Sequence, residues 1–274
     1  MARILQISDT HLSLRKRHFA ANWEPVRDWA REQDADLVIH TGDLTVDGAD
    51  SEDDMRDGAA MMRALDEPFR AVPGNHDVGE AGNRHQPIDA TRLARWRRHF
   101  GDDRWHEDVG DWRLIGFNSM LCGDESAEEQ TQLEWLDATM ASAGGRRLAW
   151  FTHRPLFIDT RDENDTGYWS VKPGPRARLL ELIDRHRVAL VGTGHLHKWR
   201  DATIDGCRYV WCASSGFLVG PDNQPEMPGD KRLGATVYDF AGRDVSVTHH
   251  DIAGLSTYWI DDVLHEVYPP RRAA

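Results

Sequence analysis

The feature that most constrains the fold is an alternation, over the first two-thirds of the chain, of short apolar runs with amphipathic stretches. The runs lie at residues 4–7, 37–40, 69–72, 114–117, 148–151 and 188–191. Runs of this length are typical of strands that are buried on both faces. Helices are predicted between them, at 22–33, 51–65, 90–100, 128–143 and 176–187. Such alternation predicts a layered α/β domain.

From about residue 199 the helical pattern stops. Four strands are predicted there, at 199–203, 208–213, 235–240 and 244–249. Strands joined by turns, without helices between them, predict a second, antiparallel sheet packed on the first. We therefore expect a single domain over residues 1–250. The tail at 251–274 is expected to form a small cap or a dimer contact, and the long loops 159–175 and 218–232 are candidate lids or binding loops.

Charge and cysteine content limit the partners and the compartment. The formal net charge of −13 repels nucleic-acid backbones and anionic membranes, and no apolar run approaches the ~20 residues of a membrane span. The three cysteines, Cys122, Cys207 and Cys212, have neither zinc-finger spacing nor the number needed for a disulfide framework. A cytoplasmic protein with a small-molecule substrate fits these observations.

Side chains that bind metals or phosphate follow five of the predicted strands. In chain order they are Asp9 and His11, Asp43, Asn75 with His76 and Asp77, His153 with Arg154, and His195 with His197. Ligands bind at the carboxyl ends of strands in open α/β sheets, so segments distant in sequence are expected to converge on one site. His40, in contrast, is expected to support the site from behind.

The residue types suit a pair of divalent transition-metal ions. Imidazole and carboxylate ligands favour zinc, manganese, iron or cobalt, and the Asn75 carbonyl is a supplementary hard donor. Metal pairs in hydrolases lie about 3.5–4 Å apart, so one carboxylate can offer an oxygen to each ion. Asp43 is the natural bridge of this kind. Glycines before Asp43, Asn75 and His195 would let the backbone turn beside the metals.

The ordered set of motifs resembles the calcineurin-like metallophosphoesterases over about residues 3–200. The motifs are Asp9-x-His11, Gly42-Asp43, Gly74-Asn75-His76-Asp77, the lone His153, and Gly194-His195-x-His197. The resemblance implies a four-layer α-β-β-α sandwich of two packed mixed sheets with flanking helices. It places the metal site at the carboxyl ends of the strands. None of the family's ligand positions is missing.

The resemblance also implies a ligand set for each metal. One metal would be held by Asp9, His11, Asp43 and His197, and the other by Asp43, Asn75, His153 and His195. A tyrosine-ligated purple iron site is not expected, because that branch has a tyrosine three residues after the bridging aspartate and this chain has Val46.

Three further residues are candidates for catalysis. His76 matches the family histidine that contacts the phosphoryl group or protonates the leaving oxygen. Asp77 would orient either His76 or its loop, and Arg154 is placed to hold a phosphate oxygen. The reaction implied is in-line attack on phosphorus by a hydroxide that bridges the two metals.

Several features resemble the bacterial class III cyclic-nucleotide and glycerophosphodiester phosphodiesterases. They are Asp9-Thr10-His11-Leu12, the short gap from Asp43 to Asn75, and Gln132-Leu133-Glu134-Trp135-Leu136. Small phosphodiesters are thus the expected substrates, and the native metal pair stays open among manganese, iron, zinc and cobalt.

Three alternatives remain at this point. The same metals could serve a broad phosphomonoesterase or phosphonate-ester hydrolase, since loops outside the motifs shape the pocket for the leaving group. The chain could instead be a catalytically silent binding scaffold, although the complete ligand set counts against this. A nuclease is disfavoured by the acidic charge. Formation of a homo-oligomer is a further expectation that the sequence leaves open.

Overall fold

Residues 1–269, which the computed structural model describes, form two β-sheets packed face to face. The strands, in chain order, are β1 (Ala2–Ile7), β2 (Leu37–His40), β3 (Phe69–Ala71), β4 (Trp105–Val109), β5 (Trp112–Gly116), β6 (Arg147–Phe151), β7 (Leu190–Thr193), β8 (Arg200–Ile204), β9 (Cys207–Trp211), β10 (Ala235–Ala241) and β11 (Asp244–His250). The helices are α1 (Trp23–Glu32), α2 (Glu52–Arg63), α3 (Asn75–Val78), α4 (Ala90–Phe100), α5 (Ala127–Ala141), α6 (Pro173–His186) and α7 (Ile260–Val267).

Both sheets are mixed. The first has the order β11-β10-β1-β2-β3, and the second has the order β4-β5-β6-β7-β9-β8. The strands of the βα units run parallel, whereas β10 pairs antiparallel with β1, and β8 pairs antiparallel with β9. The expected sandwich of two mixed sheets is therefore confirmed.

The expectation of a separate antiparallel sheet from the last third of the chain is wrong. The β8–β9 hairpin extends the second sheet through a parallel pairing of β9 with β7. The β10–β11 hairpin extends the first sheet through β1. An isolated hairpin is only marginally stable, and each hairpin here covers an edge that an existing sheet would otherwise expose. The apolar pattern predicted the strands but carried no information about their partners.

Alternation along β1 shows how the layers arise. Ile4 points into an apolar layer shared by both sheets, together with Phe151 of β6 and Tyr238 of β10. Leu5 and Ile7 point the opposite way, into a cluster formed with helices α1, α2 and α4. On the far side, β5, β6 and β7 pack against α5 and α6. Side chains alternate across a strand, so this pattern gives the helix–sheet–sheet–helix order.

Most predicted boundaries lie within three residues of the observed ones. Ser51 caps α2, since its hydroxyl accepts a hydrogen bond from the backbone N–H of Asp54 at 3.1 Å. Helix α6 begins three residues before the predicted start, because Pro173 suits the first turn, where no backbone N–H is needed. Strand β4 was not predicted. Its centre, His106 to Asp108, is polar and lies at a sheet edge.

Residues 260–267 of the tail form helix α7, which packs against the body of the protein. Apolar side chains of α7 recur with helical spacing, and Ile260 and Val267 are buried. They join a small cluster with Phe19, Val46 and Phe217. A contact between copies of the chain through this segment stays a prediction. No helix within residues 1–269 combines the length and the apolar character that a membrane crossing requires.

Gln6 is a polar group inside the layer between the sheets, and its hydrogen bonds connect them. Its amide nitrogen donates to Thr41 Oγ1 at 2.8 Å and to the Thr193 carbonyl of β7 at 3.1 Å. Its amide oxygen accepts from the Tyr238 hydroxyl at 2.6 Å. A leucine at position 6 would leave the Tyr238 hydroxyl without its acceptor.

We predict that Gln6→Leu lowers the free energy of unfolding by about 1–3 kcal/mol, the cost of leaving a buried polar group unpaired. Adding Tyr238→Phe should recover part of this loss, because the orphaned hydroxyl is then gone. Urea unfolding of the wild type, both single variants and the double variant measures the coupling. Additive effects of the two substitutions would contradict the role given to Gln6.

Candidate metal centre

The predicted site residues meet where β1, β2, β3, β6 and β7 end. The loops that carry them continue the strand pairing beyond the sheets. The backbone N–H of Asp9 donates to the Gly42 carbonyl at 3.0 Å, and that of His11 donates to the Asp43 carbonyl at 3.0 Å. In the other sheet, Gly194 N–H donates to the His153 carbonyl at 2.9 Å. These bonds fix the loops relative to each other.

One group of candidate ligands consists of Asp9, His11 and His197, whose ligand atoms lie within 4.8 Å of one another. The Nε2 atoms of the two histidines are 3.4 Å apart. His197 Nε2 is also 3.4 Å from Asp9 Oδ1. The group is buried and contains the donor types that divalent transition metals favour.

A second group consists of Asp43, His153 and His195, again with ligand atoms within 4.8 Å of one another. His153 Nε2 is 3.3 Å from Asp43 Oδ2 and 3.2 Å from His195 Nδ1. The Asn75 side-chain oxygen is 3.3 Å from the same His153 nitrogen. Asp43 connects the two groups, because its Oδ2 atom also lies 4.0 Å from His11 Nε2.

Each of the four imidazoles is held from outside by its other nitrogen. His153 Nδ1 donates to the Thr41 carbonyl at 2.8 Å, and His197 Nδ1 donates to the Phe217 carbonyl at 2.7 Å. His195 Nε2 donates to the Tyr168 carbonyl at 2.9 Å. His11 Nδ1 lies 2.8 Å from the Tyr268 hydroxyl oxygen. Outer hydrogen bonds of this kind orient metal-binding histidines.

This arrangement fits bound cations. A carbonyl only accepts hydrogen bonds, so a histidine that donates to one presents a lone pair on its other nitrogen. In their neutral forms, His153 and His195 therefore direct two lone pairs at each other across 3.2 Å. Such a contact is repulsive unless a proton or a metal ion lies between the nitrogens.

The pKa values of Asp43, His153 and His195 also show that these groups interact strongly through their charges. Burial lowers the pKa of His153, but the Asp43 carboxylate outweighs it and raises the pKa to about 9. Burial raises the pKa of Asp43, but His153 and His76 bring it well below its usual range. Burial, together with His153 and Arg154, lowers the pKa of His195 well below its usual range. The ionised Asp43 carboxylate is thus stabilised by positive charge beside it.

The backbone of the site is in an uncommon conformation. Five of the seven proposed ligands have positive φ angles, +53° at Asp9, +45° at His11, +52° at Asp43, +70° at His195 and +52° at His197. Residues other than glycine rarely adopt this region, at a cost of order 1–3 kcal/mol each. Strain of this kind persists only where the surrounding structure imposes it, and it clusters at functional sites.

Two of the motif glycines are required by close approach. Gly42 has a φ of +91°, and a Cβ there would lie 2.6 Å from His153 Nδ1. A Cβ at Gly74 would lie 2.2 Å from Asp43 Oδ1. Any larger residue at either position would displace a proposed ligand.

His76 lies beside the centre. Its backbone N–H donates to Asp43 Oδ1 at 2.8 Å, and its ring centroid is 5.2 Å from that of His11. Its ring nitrogen is within 4.8 Å of ligand atoms of His11 and Asp43. The side chain is only half-buried, so it can face a substrate.

Asp77 is fully buried and holds loops together. Its carboxylate accepts hydrogen bonds from the backbone of Leu44, Thr45 and Gly74 and from the Thr45 hydroxyl, at 2.7–3.1 Å. It therefore joins the Asp43 loop to the Asn75 loop. Of the two roles expected for Asp77, this geometry favours orientation of the loop.

Arg154 forms an ion pair with Glu80 and lies 5.6 Å from the centroid of the Tyr168 ring. Its charge reaches the centre, since it contributes to the lowered pKa of His195. A role in holding a phosphate oxygen stays a prediction, and Glu80 would compete for the guanidinium.

His40 is buried, and its Nε2 is 3.0 Å from Thr10 Oγ1, which places it behind the ligand loop as expected.

Sequence reasoning missed three side chains at the site, Glu80, Tyr168 and Tyr268. Neither tyrosine belongs to a motif. Tyr168 comes from the loop 159–175 and Tyr268 from the tail. Only the length of the loop and the terminal position of the tail suggest a function for these two segments. The Tyr168 hydroxyl accepts a hydrogen bond from Asn75 Nδ2 at 3.3 Å. No spacing rule links residues 75 and 168, so the sequence alone could not pair them.

Comparison with known proteins identifies the family. The calcineurin-like phosphoesterase profile matches residues 2–199, and the chain belongs to this family. The resemblance inferred from the motifs is thereby confirmed. Within the matched residues, the clustered carboxylates and histidines are the candidate metal ligands.

Relatives within the family carry different names. The human serine/threonine-protein phosphatase CPPED1 is 28% identical over 170 residues, which cover 59% of this chain and 52% of the human protein. The chain therefore spans about half the length of that relative. A probable cyclic nucleotide phosphodiesterase of Synechococcus is 28% identical over 215 residues, 74% of this chain and 72% of that protein. A probable glycerophosphodiester phosphodiesterase, GpdQ of Arcobacter nitrofigilis, is 26% identical over 60% of this chain and 57% of its own length.

Solved structures share the fold. A purple acid phosphatase from yellow lupin matches with a TM-score of 0.68 at 16% identity, over 94% of this chain and 52% of the lupin chain. A dimetal phosphatase from Danio rerio matches with a TM-score of 0.58 at 15% identity, over 90% of this chain and 95% of that chain. Both likenesses support the two-sheet architecture.

We predict that Asp77→Ala lowers the free energy of unfolding by about 3 kcal/mol or more, because it leaves several buried backbone N–H groups unpaired at about 1–3 kcal/mol each. Thr45→Val removes the hydroxyl bond to Asp77 and the acceptor of the Gly48 N–H but keeps the backbone bonds to Asp77, so it should cost less, about 1–2 kcal/mol. Chemical denaturation of the two variants beside the wild type gives the comparison. Equal, small losses for both would show that Asp77 does not join the loops.

Proposed function

We propose that this chain is a metal-dependent phosphodiesterase that hydrolyses small phosphodiesters, of cyclic-nucleotide or glycerophosphodiester type, at a dinuclear centre. The observation that carries the proposal is the pair of buried ligand groups connected by Asp43. One group, Asp9, His11, Asp43 and His197, would hold the first ion. The other, Asp43, Asn75, His153 and His195, would hold the second.

Two divalent cations bound there would supply Lewis acidity to the phosphoryl oxygens and lower the pKa of a coordinated water. The chain's own residues supply the remaining functions. The outer hydrogen bonds to the imidazoles keep the ligands in place before substrate arrives. His76 faces the centre from a half-buried position and would contact the phosphoryl group or protonate the leaving oxygen.

Arg154 would attract the anionic substrate. The chain is strongly acidic, so the local positive charge of this guanidinium and of the cations must oppose the overall field. Loss of Glu80 as a partner would free Arg154 for a phosphate oxygen.

Preference for diesters is supported by the names of the Synechococcus and Arcobacter relatives. The name of the human relative, a serine/threonine-protein phosphatase, favours a second candidate, hydrolysis of phosphomonoesters at the same centre. Both candidates use the same metals and differ in how the surrounding loops accommodate the second ester group.

The free thiols Cys122, Cys207 and Cys212 suit a reducing compartment, and we propose the cytoplasm.

The test combines metal analysis with two substrates. We expect about two metal ions per chain after loading with Mn²⁺, and faster turnover of bis(p-nitrophenyl) phosphate than of p-nitrophenyl phosphate. His195→Ala should lose metal and activity together. His76→Ala should keep its metal and lose turnover by about 10²–10⁴-fold, the usual contribution of a general acid or base.

Each other outcome has a definite meaning. Faster turnover of the monoester would replace the first candidate by the second. A wild type that binds metal yet turns over neither ester with any of manganese, iron, zinc or cobalt would favour a silent scaffold. Full activity of His195→Ala would show that the second ligand group is wrongly assigned.

A further inference from the structure

Residues 258–268, which we call the C-terminal segment, lie over the His11 side of the centre. Helix α7 is held there by the apolar cluster that joins Ile260 and Val267 to Phe19 and Phe217. Phe217 itself touches the metal centre, because its ring centroid is 4.3 Å from that of His197. The segment is therefore packed directly on residues that contact proposed ligands.

Polar contacts fix both ends of α7. At its first residue, the Ile260 N–H donates to the Leu218 carbonyl at 3.0 Å. In its first turn, the Asp261 carboxylate accepts from the Gly220 N–H at 2.6 Å. At its end, Lys16 Nζ donates to the Val267 carbonyl. These contacts determine where the next residue, Tyr268, can reach.

Tyr268 touches two functional side chains at once. Its hydroxyl oxygen lies 2.8 Å from His11 Nδ1. Its ring stacks on His76, with centroids 4.4 Å apart and planes inclined by 30°. The residue is separated from His11 by 257 positions in the sequence.

The partner of His11 differs in kind from those of the other three imidazoles. Three of the imidazoles, those of His153, His195 and His197, each donate to a backbone carbonyl. Any residue at the accepting position would offer that carbonyl, whatever its side chain. His11 instead depends on the side chain of one residue in the tail. A phenylalanine there would keep the stacking on His76 and remove only the hydrogen bond.

We propose that Tyr268 is a positioning residue that orients His11 for the first metal and His76 for the substrate, so that the C-terminal segment completes the site. The phenol oxygen accepts the Nδ1 proton of His11 and thereby keeps the Nε2 lone pair directed at the centre. The stacked ring restricts His76 to one orientation. This inference rests on the proposed dinuclear centre, because it assigns a role towards one of its two metals.

The test is a titration of metal-free protein with Mn²⁺. Binding is measured either by calorimetry or by the electron paramagnetic resonance signal of the free Mn²⁺. Tyr268→Phe should weaken one of the two binding events by about 10-fold or more, as loss of an outer partner of a ligating histidine does, and leave the other unchanged. Tyr268→Leu, which also removes the stacked ring, should in addition lower kcat beyond Tyr268→Phe at saturating metal.

Tyr258→Phe is the matched control. It removes a phenol from the same segment, but within residues 1–269 the Tyr258 side chain contacts the Phe19 ring and no proposed ligand. This variant should bind Mn²⁺ like the wild type. Thermal unfolding of all metal-free proteins shows whether the segment stays folded.

The outcomes separate the inference from the function on which it rests. A wild type that binds fewer than two ions contradicts the dinuclear centre itself. Two wild-type binding events that Tyr268→Phe leaves unchanged would overturn the role of Tyr268 alone. Equal weakening of both events, with a lower unfolding temperature of the metal-free variant, would also overturn it, because Tyr268 would then act only on general stability.

Discussion

The buried carboxylate of Asp43 is the group on which the rest of the site depends. Its side chain is only 3% exposed, and it lies within 4.0 Å of imidazole nitrogens from both ligand groups. An ionised carboxylate without partners in such a place would cost many kcal/mol, so the surroundings must supply positive charge. The histidines on both sides do so when protonated, and a pair of cations does so more completely. The same charge balance explains the raised pKa of His153 and the lowered pKa of Asp43.

Holding this carboxylate among several imidazoles requires a rigid frame. The left-handed backbone of Asp43 and of four other proposed ligands is unfavourable locally. It is maintained by hydrogen bonds between loops that continue the strands of both sheets, and by Asp77, which joins the Asp43 and Asn75 loops. The layer between the sheets holds those strands at a fixed separation, with Gln6 connecting β1 to β7. The unfavourable backbone conformation of the ligand loops is thus offset by hydrogen bonds and packing in the rest of the fold.

Local patterns explain what could be predicted from the sequence. Apolar runs such as 37–40 identify buried strands, and polar ligands directly after them identify the site, because strand ends converge in this kind of sheet. Ser51 acts within one helical turn, so its capping of α2 is a local effect, although the equally local effect of Pro173 on the start of α6 was missed by three residues. Pairing across the sheet is different. Nothing in residues 235–241 indicates that this strand lies beside β1, since its choice of edge depends on the whole assembly.

The same limit applies to the outer parts of the site. Tyr168 and Tyr268 reach the centre from a long loop and from the residue after a short helix, and neither residue belongs to a motif. Gln132 shows the converse. Its motif resembles that of one branch of the family, but its amide has a local structural role, because it pairs with both the N–H and the carbonyl of Asn118 at 2.9 Å. Gln132 therefore stabilises the local fold, and its presence gives no information about the substrate.

The most direct test of the central claim is anomalous diffraction from crystals of the Mn²⁺-loaded protein. We expect two anomalous peaks about 3.5–4 Å apart, the usual separation in two-metal sites, with Asp43 between them. Asp9, His11 and His197 should surround one peak, and Asn75, His153 and His195 the other. A single peak, or a second one outside these ligands, would contradict a dinuclear centre bridged by Asp43.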